Sequence, residues 1–480
     1  MIAPMSSETT CDWADDPGLR TGSRVHLIGI GGCGMRAAAG LLLHSGLRVS
    51  GSDQSDFAGL GDLVAAGATV HVGHSAAHLP DDLDLLVISA AIPEANPELH
   101  EARRRGCPII TYAQLVGRLM SRRQGVSIAG THGKSTTTAL TAHIYRTGGL
   151  DPSFIVGAHS DQLGGSSGVG KGPHFIVESC EYARSFLHHR PVLAAILNIE
   201  KEHLDCYTDL PDIVAAFAAF ADSVSPDGLL IARHDDANVA QATRQAAAPV
   251  ETFGIEPSAC WTATDLRADQ GRYSFAVHYR QRKLFETALD LPGEHNVTNA
   301  LAAAALAFHG GVAPDAIAQA IRTYRGIDRR MSVRGTGGGV TVVDDYAHHP
   351  TEIRATLHAA RCRFQPRRTW VVFQPHQHSR TRLLMDEFAG CFTEADIVLV
   401  SDIYSVRDSD EERRKTKADD LVSRIHAGGG QARYLPTLEQ VASHLIEQVT
   451  SGDLVITMGA GDVWKVADEL AQRVTGPNRA

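Results

Sequence analysis

The run VSIAGTHGKSTTTAL, from Val126 to Leu140, decides the fold of the chain around it. An apolar, β-rich stretch ends at Gly130, and the loop GTHGKST leads directly into a stretch with helical character. Such a unit cradles phosphates, because glycines let backbone N–H groups approach them and the helix N-terminus adds positive charge. Lys134 can reach terminal phosphates, and Ser135 can offer its hydroxyl to Mg²⁺. Ile128 stands where the usual spacing has another glycine, so the pattern is a shortened phosphate loop, and a chance match is the alternative.

Acidic groups follow two further strands of the same block. Glu178 ends the strand HFIVE, and the segment NIEKEHLD, Asn198 to Asp205, follows the strand LAAIL. Both lie at carboxyl ends of strands, which is the edge where an open α/β sheet binds ligands. Mg²⁺ prefers oxygen ligands, so Glu178 suits a metal. His203 is one of 24 histidines, and composition alone makes it a surface or core histidine.

A second glycine loop follows the strand RVHLI near the N-terminus. Gly29 to Gly34 fit the pattern G-x-G-x-x-G, and Asp53 follows near the end of the next strand. The geometry suits a nicotinamide dinucleotide, but it serves any nucleotide diphosphate equally well. A tight strand–helix turn without any ligand is the structural alternative. The first loop therefore leaves the identity of the ligand open.

Two more segments follow strands in the last third of the chain. They are DDYAHHP, Asp344 to Pro350, and QPHQHSRTR, Gln374 to Arg382. Arginines and histidines at one sheet edge can bind a carboxylate or a phosphate in transfer. Exposed loop charges are the alternative for each segment. The charged run from Arg407 to Asp420 is interpreted as a solvated loop and helix start.

Composition excludes several classes of protein. The net charge of −10 argues against a general nucleic-acid binder, and eight scattered cysteines without a C-x-x-C pair favour a reducing cytoplasm over a disulfide or zinc framework. No apolar run reaches the ~18 residues of a membrane span, and the acidic N-terminus lacks the basic start of a secretory signal. We expect a cytoplasmic protein with neither nucleic acid nor membrane as a partner.

The chain is predicted to be an α/β protein. Its 480 residues correspond to about three domains at roughly 150 residues each. Strands alternate with helices in each block, except that Ala259 to Leu291 alternates like antiparallel strands. Arg325 to Arg330 is interpreted as a hinge. The predicted parts are a flexible leader (1–22), a Rossmann-like domain (23–120), a central phosphate-loop domain with extra antiparallel strands (121–330) and a C-terminal Rossmann-like domain (331–480).

From about Arg24 to its C-terminus, the sequence resembles the Mur ligases of bacterial cell-wall synthesis. The resemblance rests on seven segments in the same order: GIGGCGM, GTHGKSTTTA, SFLHHRPVLAAILNIEKEHLD, GEHNVTNALAA, DDYAHHPTEI, FQPHQHSRTR and MGAGDVWK. Within the family, the first loop and the NIEKEH segment favour the alanine-adding activity over the recycling of muramoyl tripeptide. One departure is Glu202, where the family usually has aspartate before the metal histidine.

The resemblance implies an ATP-dependent ligase. It would join L-alanine to the carboxylate of UDP-N-acetylmuramate through an acyl phosphate, with Mg²⁺ as cofactor, in the first peptide step of peptidoglycan precursor synthesis. A monomer or weak homodimer is expected. Two rival classes are an NAD-dependent dehydrogenase, which leaves the phosphate loop unexplained, and a non-catalytic nucleotide-binding regulator.

The resemblance also implies roles for individual residues. Lys134, Arg330, His348 and Arg380 are the expected catalytic residues, and His376 belongs with the last two, where the amino acid and the reacting phosphate are handled. The binding residues fall into three sets: Gly29, Gly31, Gly32 and Gly34, with Asp53, for the UDP-sugar; Gly130, Thr131, His132, Gly133, Lys134, Ser135, Thr136, Asn296, Asn299 and Asp345 for ATP; and Ser135, Glu178 and His203 for the metal.

Overall fold

Three β-sheets with flanking helices follow one another along the chain, which confirms the predicted α/β class. The computed structural model describes residues 19–57, 59–406 and 408–475. Within these ranges, no helix is both long enough and apolar enough to cross a membrane.

The first sheet has five parallel strands in the order β3-β2-β1-β4-β5. The strand order reverses at β1, so the loop after β1 opens at the switch point, where such sheets bind ligands. The elements are β1 (Arg24–Ile28), α1 (Cys33–His44), β2 (Arg48–Asp53), α2 (Leu60–Ala65), β3 (Thr69–Val72), β4 (Leu85–Ile88), α3 (Pro97–Arg104), β5 (Ile109–Thr111) and α4 (Tyr112–Met120).

The end of the predicted leader belongs to this first unit. Leu19 is fully buried in its core, and the Gly22 N–H donates to the carbonyl of Gly46. Residues 19–22 therefore contact the first unit, and the flexibility of the leader stays a prediction. The rest of the leader lies outside the described residues.

The central sheet has ten strands in the order β15-β14-β13-β12-β11-β10-β6-β9-β7-β8. Strands β13, β14 and β15 pair antiparallel, as predicted for 259–291. The elements are β6 (Gln124–Ala129), α5 (Lys134–Thr147), β7 (Ser153–Ser160), β8 (Gly165–Gly168), β9 (His174–Glu178), β10 (Leu193–Ile196), α6 (Leu210–Asp222), β11 (Leu229–Arg233), α7 (Ala237–Thr243), β12 (Val250–Gly254), β13 (Trp261–Asp269), β14 (Arg272–Tyr279), β15 (Arg282–Leu289), α8 (Glu294–His309) and α9 (Pro314–Thr323).

Two features of the central sheet place its ligand edge. Strand β6 lies between β9 and β10 and is parallel to both, so the loop after β6 opens at a second switch point. Helix α8 is buried along almost its whole length, because its alanines let it pack closely against α5 and the sheet. The start of α8 is thereby fixed beside the start of α5.

The third sheet has six strands in the order β16-β17-β21-β18-β19-β20, parallel except for β16. The elements are β16 (Ser332–Gly337), β17 (Val340–Asp345), α10 (Pro350–Phe364), β18 (Arg368–Phe373), α11 (His378–Leu383), α12 (Met385–Ala389), β19 (Ile397–Val400), α13 (Asp410–Lys415), α14 (Ala418–Ala427), β20 (Ala432–Tyr434), α15 (Leu438–Gln448), β21 (Asp453–Met458) and α16 (Trp464–Thr475).

Candidate functional site

The phosphate loop runs from β6 to α5 with a backbone that only glycine tolerates at two points. Gly130 and Gly133 have φ angles of +143° and +81°, and a Cβ on Gly133 would lie 2.6 Å from the Asn299 side chain. The Asn198 side chain clamps the loop, accepting from the N–H of His132 at 2.7 Å and donating to its carbonyl at 3.1 Å. Ile128 is a buried strand residue, so the glycine of the longer pattern has no place here.

Lys134 begins α5 and turns its ammonium back into the loop. It donates to the carbonyls of Gly130 at 2.6 Å and Thr131 at 3.0 Å, and it lies 2.9 Å from the carboxylate of Glu181. Burial opposes the charge, but Glu181 outweighs it and raises the pKa of Lys134 above its usual range. Glu181 was not predicted, because it follows the strand end by three residues and nothing in its spacing marks it as a lysine partner.

The two predicted metal ligands from the central sheet lie near this lysine. Glu178 ends β9 and accepts from the Gly157 N–H at 2.6 Å, and its charge helps to raise the pKa of Lys134. His203 has a left-handed backbone, with φ of +53°, and its Nε2 lies 3.6 Å from Glu181. Burial lowers the pKa of His203, and its buried Nδ1 has no hydrogen-bond partner among the described residues. A neutral imidazole with an orphaned nitrogen beside carboxylates fits a divalent cation.

A cavity of about 520 Å³ opens between the central and third sheets. Asn296 and Asn299 line it, and the Asn299 amide donates to the Asn296 carbonyl oxygen at 3.1 Å. The other predicted ATP residues on its wall are His132, Gly133, Thr136 and Asp345, and the predicted catalytic residue Arg330 lines it as well. The structure therefore brings the two asparagines, part of the phosphate loop and the hinge arginine onto one cavity.

Arg330 enters this cavity from the hinge between the two sheets. Its guanidinium lies 3.1 Å from the Glu352 carboxylate and stacks over the Tyr346 ring at 5.5 Å. Burial opposes the charge on Glu352, yet Arg330, His348 and His132 hold the pKa of Glu352 well below its usual range. Glu352 was also not predicted, because an acidic residue in the first turn of a helix such as α10 is common without any functional role.

Asp345 fixes the hinge rather than pairing with a cation. Its carboxylate accepts from the N–H groups of Met331 at 2.7 Å and Ala347 at 2.8 Å. Burial raises the pKa of Asp345 to about 6, against the lowering effect of Arg330. Arg329 and Met331 flank Arg330 in left-handed conformations, with φ of +59° and +52°, so the predicted hinge is a strained turn.

His348, His376 and Arg380 lie together at the edge of the third sheet. The rings of His348 and His376 are 6.3 Å apart, and Arg380 donates to Nδ1 of His376 at 3.0 Å. Burial lowers the pKa of His348 to about 4, and its Nδ1–H donates to the carbonyl of Tyr346 at 3.0 Å. The His348 ring is therefore neutral, with its Nε2 lone pair able to accept a proton.

Glu202 connects Arg380 to the central sheet. Its carboxylate forms a buried ion pair with the Arg380 guanidinium. Burial opposes this charge, but Arg380 holds the pKa of Glu202 well below its usual range. Glu202 stands where the family usually has aspartate. Its longer side chain contacts Arg380 on α11 beside the third sheet.

The charged run in the third unit is anchored as well as solvated. Asp408 accepts from the N–H groups of His378 at 2.7 Å and Ser379 at 3.1 Å, and from the Ser379 hydroxyl at 2.8 Å. His378 in turn contacts the carbonyl of Thr416 at 2.8 Å. The segment therefore holds the start of α11, which carries Arg380. Arg407 lies outside the described residues.

The predicted UDP-sugar residues form a separate cleft of about 740 Å³ on the first sheet. Gly29, Gly31 and Gly32 line it, and Asp53 accepts from the Gly31 N–H at 2.9 Å. A Cβ on Gly34 would lie 2.5 Å from the Tyr112 hydroxyl, so Gly34 serves helix packing. The Asp53 carboxylate therefore fixes the glycine loop. In dinucleotide-binding enzymes, the acidic residue at this position contacts the ribose instead.

His74 also lines this cleft and was not predicted. Its Nδ1 lies 3.0 Å from the Ser52 hydroxyl, which donates to the buried carboxylate of Glu98 at 2.5 Å. His26 and His78 contact the same carboxylate at 3.3 and 3.0 Å. The sequence did not indicate this cluster, because its members are far apart along the chain. With 24 histidines in the chain, no single one of them stands out.

Three family models match successive parts of the chain. The Mur ligase family catalytic domain matches residues 24–124, the Mur ligase middle domain matches 128–307, and the Mur ligase glutamate ligase domain matches 329–461. A UDP-N-acetylmuramate–L-alanine ligase of Clostridium novyi is 41% identical over 446 residues, covering 93% of this chain and 96% of the relative.

Two solved structures share the fold over nearly the whole chain. The UDP-N-acetylmuramate-alanine ligase MurC of Thermotoga maritima matches with a TM-score of 0.77 and 28% identity, over 94% of this chain and 99% of that one. The murein peptide ligase mpl of Psychrobacter arcticus matches with a TM-score of 0.69 and 25% identity, over 96% and 100%. With three domain matches in order and a curated relative at this identity and coverage, the chain belongs to the Mur ligase family.

Proposed function

We propose that the protein is an ATP-dependent ligase that joins L-alanine to the carboxylate of UDP-N-acetylmuramate through an acyl phosphate. The observation that carries the proposal is the shared cavity of the phosphate loop and the hinge arginine, beside a neutral histidine and a buried arginine. The curated relative with this activity name supports the choice of substrates. An NAD-dependent dehydrogenase and a non-catalytic regulator have no comparable support.

The three sheets divide the substrates among them in this proposal. Residues 23–120 bind the UDP-sugar in the first cleft, 121–330 bind ATP, and 331–480 bind the amino acid. We infer a cytoplasmic location, because ATP and the UDP-sugar are cytoplasmic metabolites. We also infer a monomer or a weak homodimer.

In this proposal ATP binds in the cavity between the central and third sheets and extends from there into the phosphate loop. Its phosphates lie against Gly130, Thr131, Gly133 and Lys134, and its adenosine lies towards Asn296, Asn299 and Asp345. Glu181 already holds Lys134 charged, so the lysine meets the phosphates as a cation. Mg²⁺, held by Ser135, Glu178 and His203, supplies charge neutralisation for the phosphates when it is bound.

The first step transfers the γ-phosphoryl group to the muramoyl carboxylate. Lys134 and Arg330 offset the negative charge that moves between the two substrates, and their fixed ion pairs pre-organise them for this task. Closure of the third sheet over the cavity excludes water, which would otherwise hydrolyse the acyl phosphate.

The second step is attack of the L-alanine amine on the acyl phosphate. The amine must lose a proton, and His348 Nε2 is a neutral acceptor beside Arg380. Arg380, whose position Glu202 and His376 fix, binds the amino-acid carboxylate. Phosphate leaves as the amide forms.

Isotope transfer tests this reaction. UDP-N-acetylmuramate labelled with ¹⁸O in its lactyl carboxylate should deliver one ¹⁸O to inorganic phosphate per amide formed, as measured by mass spectrometry. Phosphate without label would contradict an acyl-phosphate route. Label transfer that needs a tripeptide in place of L-alanine would instead support the recycling ligase.

A further inference from the structure

Three side chains outside the residues assigned to Mg²⁺ converge where the phosphate loop meets the third sheet. They are His132 in the loop, Glu200 after β10 and His349 just before α10, and each has a ligand atom within 4.8 Å of the other two. Over the described ranges, no other group of three or more histidine, cysteine, aspartate or glutamate side chains comes this close.

The distances approach those around a single ion. Nε2 of His132 lies 3.6 Å from a Glu200 carboxylate oxygen, and Nδ1 of His349 lies 3.8 Å from the same oxygen. Zn²⁺ bonds nitrogen and oxygen at roughly 2.0–2.2 Å, so ligand atoms in a tetrahedral site lie about 3.4 Å apart. Shifts of a few tenths of an ångström between these two pairs would complete that spacing.

One imidazole already presents the nitrogen that a metal needs, and the other presents it once a proton has left. Nδ1 of His132 faces Glu352 at 3.5 Å. Burial opposes the charge of His132, but Glu200 and Glu352 raise its pKa to about 9, so an ion would bind Nε2 by displacing the proton there. His349 donates its Nε2–H to the Lys201 carbonyl at 3.2 Å, so its Nδ1 lone pair points into the group. A histidine ligand that donates its other N–H to a carboxylate or carbonyl is the usual arrangement around bound metals.

The third ligand, the Glu200 carboxylate, is also held in position by a neighbouring side chain. The Thr351 hydroxyl donates to the Glu200 carboxylate at 2.7 Å, and the Thr351 N–H makes a longer contact of 3.3 Å to Nδ1 of His349. An ion would replace only this second, weaker contact. The carboxylates of Glu200 and Glu352 would face its positive charge.

We propose that His132, Glu200 and His349 bind a Zn²⁺-class transition-metal ion at a site separate from the magnesium site. Two imidazoles and one carboxylate suit Zn²⁺ or Co²⁺, whereas Mg²⁺ prefers oxygen ligands and retains water. The ion would clasp the phosphate loop to the third sheet, because His132 and Glu200 belong to the central unit and His349 to the third. The site does not depend on the proposed ligase activity.

Calorimetry of the chelator-treated full chain tests the site directly. Zn²⁺ is titrated without nucleotide and with excess Mg²⁺ present, and one binding event is expected. His349→Ala and Glu200→Gln should each weaken it by at least about 100-fold, since even loss of an outer partner costs 10–100-fold. His358→Ala is the matched control, because His358 is an exposed histidine on α10 beside Glu394 and should leave binding unchanged.

Two further measurements keep the test decisive. His203→Ala should retain Zn²⁺ binding, and loss of binding there would place the ion in the magnesium site and overturn the proposal. Co²⁺ should give visible ligand-field bands without thiolate charge-transfer absorption, whereas thiolate absorption would assign it to a cysteine. Unchanged Zn²⁺ affinity in folded His349→Ala protein, checked by circular dichroism, would equally overturn it.

Discussion

Lys134 approaches the phosphate site with its ammonium already bound to the Glu181 carboxylate and to two carbonyls of its own loop. Arg330 is held in the same way by Glu352. At the scale of single residues, each of these cations has a buried carboxylate that fixes its charge and direction. Such fixed charges stabilise a moving phosphoryl group without reorganising during the step.

Lys134→Ala should lower turnover by at least about 10²-fold, the scale of removing one preorganised electrostatic donor. The fold should survive at reduced stability, because Lys134 contributes little to core packing but Glu181 loses its buried partner. Steady-state phosphate release with a circular dichroism check measures both. Lys171→Ala, at an exposed lysine between β8 and β9, is the control and should change neither the turnover nor the circular dichroism spectrum. Near-normal turnover in folded Lys134→Ala protein would contradict the assigned ATP site.

Glu98 should make the first unit sensitive to acid. Burial opposes its charge, but hydrogen bonds from His26, Ser52 and Ser75 lower the pKa of Glu98 to about 2. A lowered folded-state pKa stabilises the protein above the ordinary value of about 4.5, and this stability is lost as the pH falls towards 2. The contribution at neutral pH is at most about 3 kcal/mol.

Thermal denaturation of Glu98→Gln and wild type across this pH range checks the expectation. The difference in Tm should be largest at neutral pH and should shrink steadily below about pH 4.5. Glu94→Gln, at an exposed glutamate, should follow the wild type. A Tm difference that stays constant down to pH 2.5 would show that the charge of Glu98 is not what matters.

Among the helices and strands, the sequence predicted the phosphate-loop unit, but it did not predict two strands of the central sheet or the ion pairs between distant segments. The strand, glycine loop and helix around Lys134 were predictable, because their apolar, glycine and helical patterns are continuous in sequence. Strands β7 and β8 were not predicted, since β8 is a glycine- and serine-rich edge strand with little β propensity. Glu181 and Glu352 could not be assigned partners, because those pairings join residues 22 to 47 positions apart.

The position of α11 depends on the anchored charged segment. Asp408→Ala removes three hydrogen bonds to the start of this helix, which is worth about 1 kcal/mol for a typical cap. Because Arg380 follows directly, the KM for L-alanine should rise several-fold while the KM for ATP changes little. Steady-state kinetics with each substrate varied separates the two. Asp410→Ala, at an exposed acid of α13, is the control. An equal rise in both KM values would argue against a positioning role.

At the scale of the molecule, the UDP-sugar cleft and the ATP cavity are built on different sheets. Gly31→Ala should therefore act on one substrate only, because its Cβ would lie 2.5 Å from the Phe57 ring and 2.8 Å from the Asp53 carboxylate. The KM for the UDP-sugar should rise, and ATP affinity by calorimetry should not change. Gly40→Ala, in open space on α1, is the control. Loss of ATP binding in folded Gly31→Ala protein would mean that the two sites are not independent.

Phosphate release from ATP by the wild-type protein tests the proposed ligase reaction directly. It is measured with UDP-N-acetylmuramate and, as the second co-substrate, single amino acids or the peptide of the muramoyl tripeptide. We expect release only when ATP, UDP-N-acetylmuramate and L-alanine are all present, with one UDP-N-acetylmuramoyl-L-alanine formed per phosphate. Release that ignores the UDP-sugar, or that is faster with the tripeptide than with L-alanine, would contradict it.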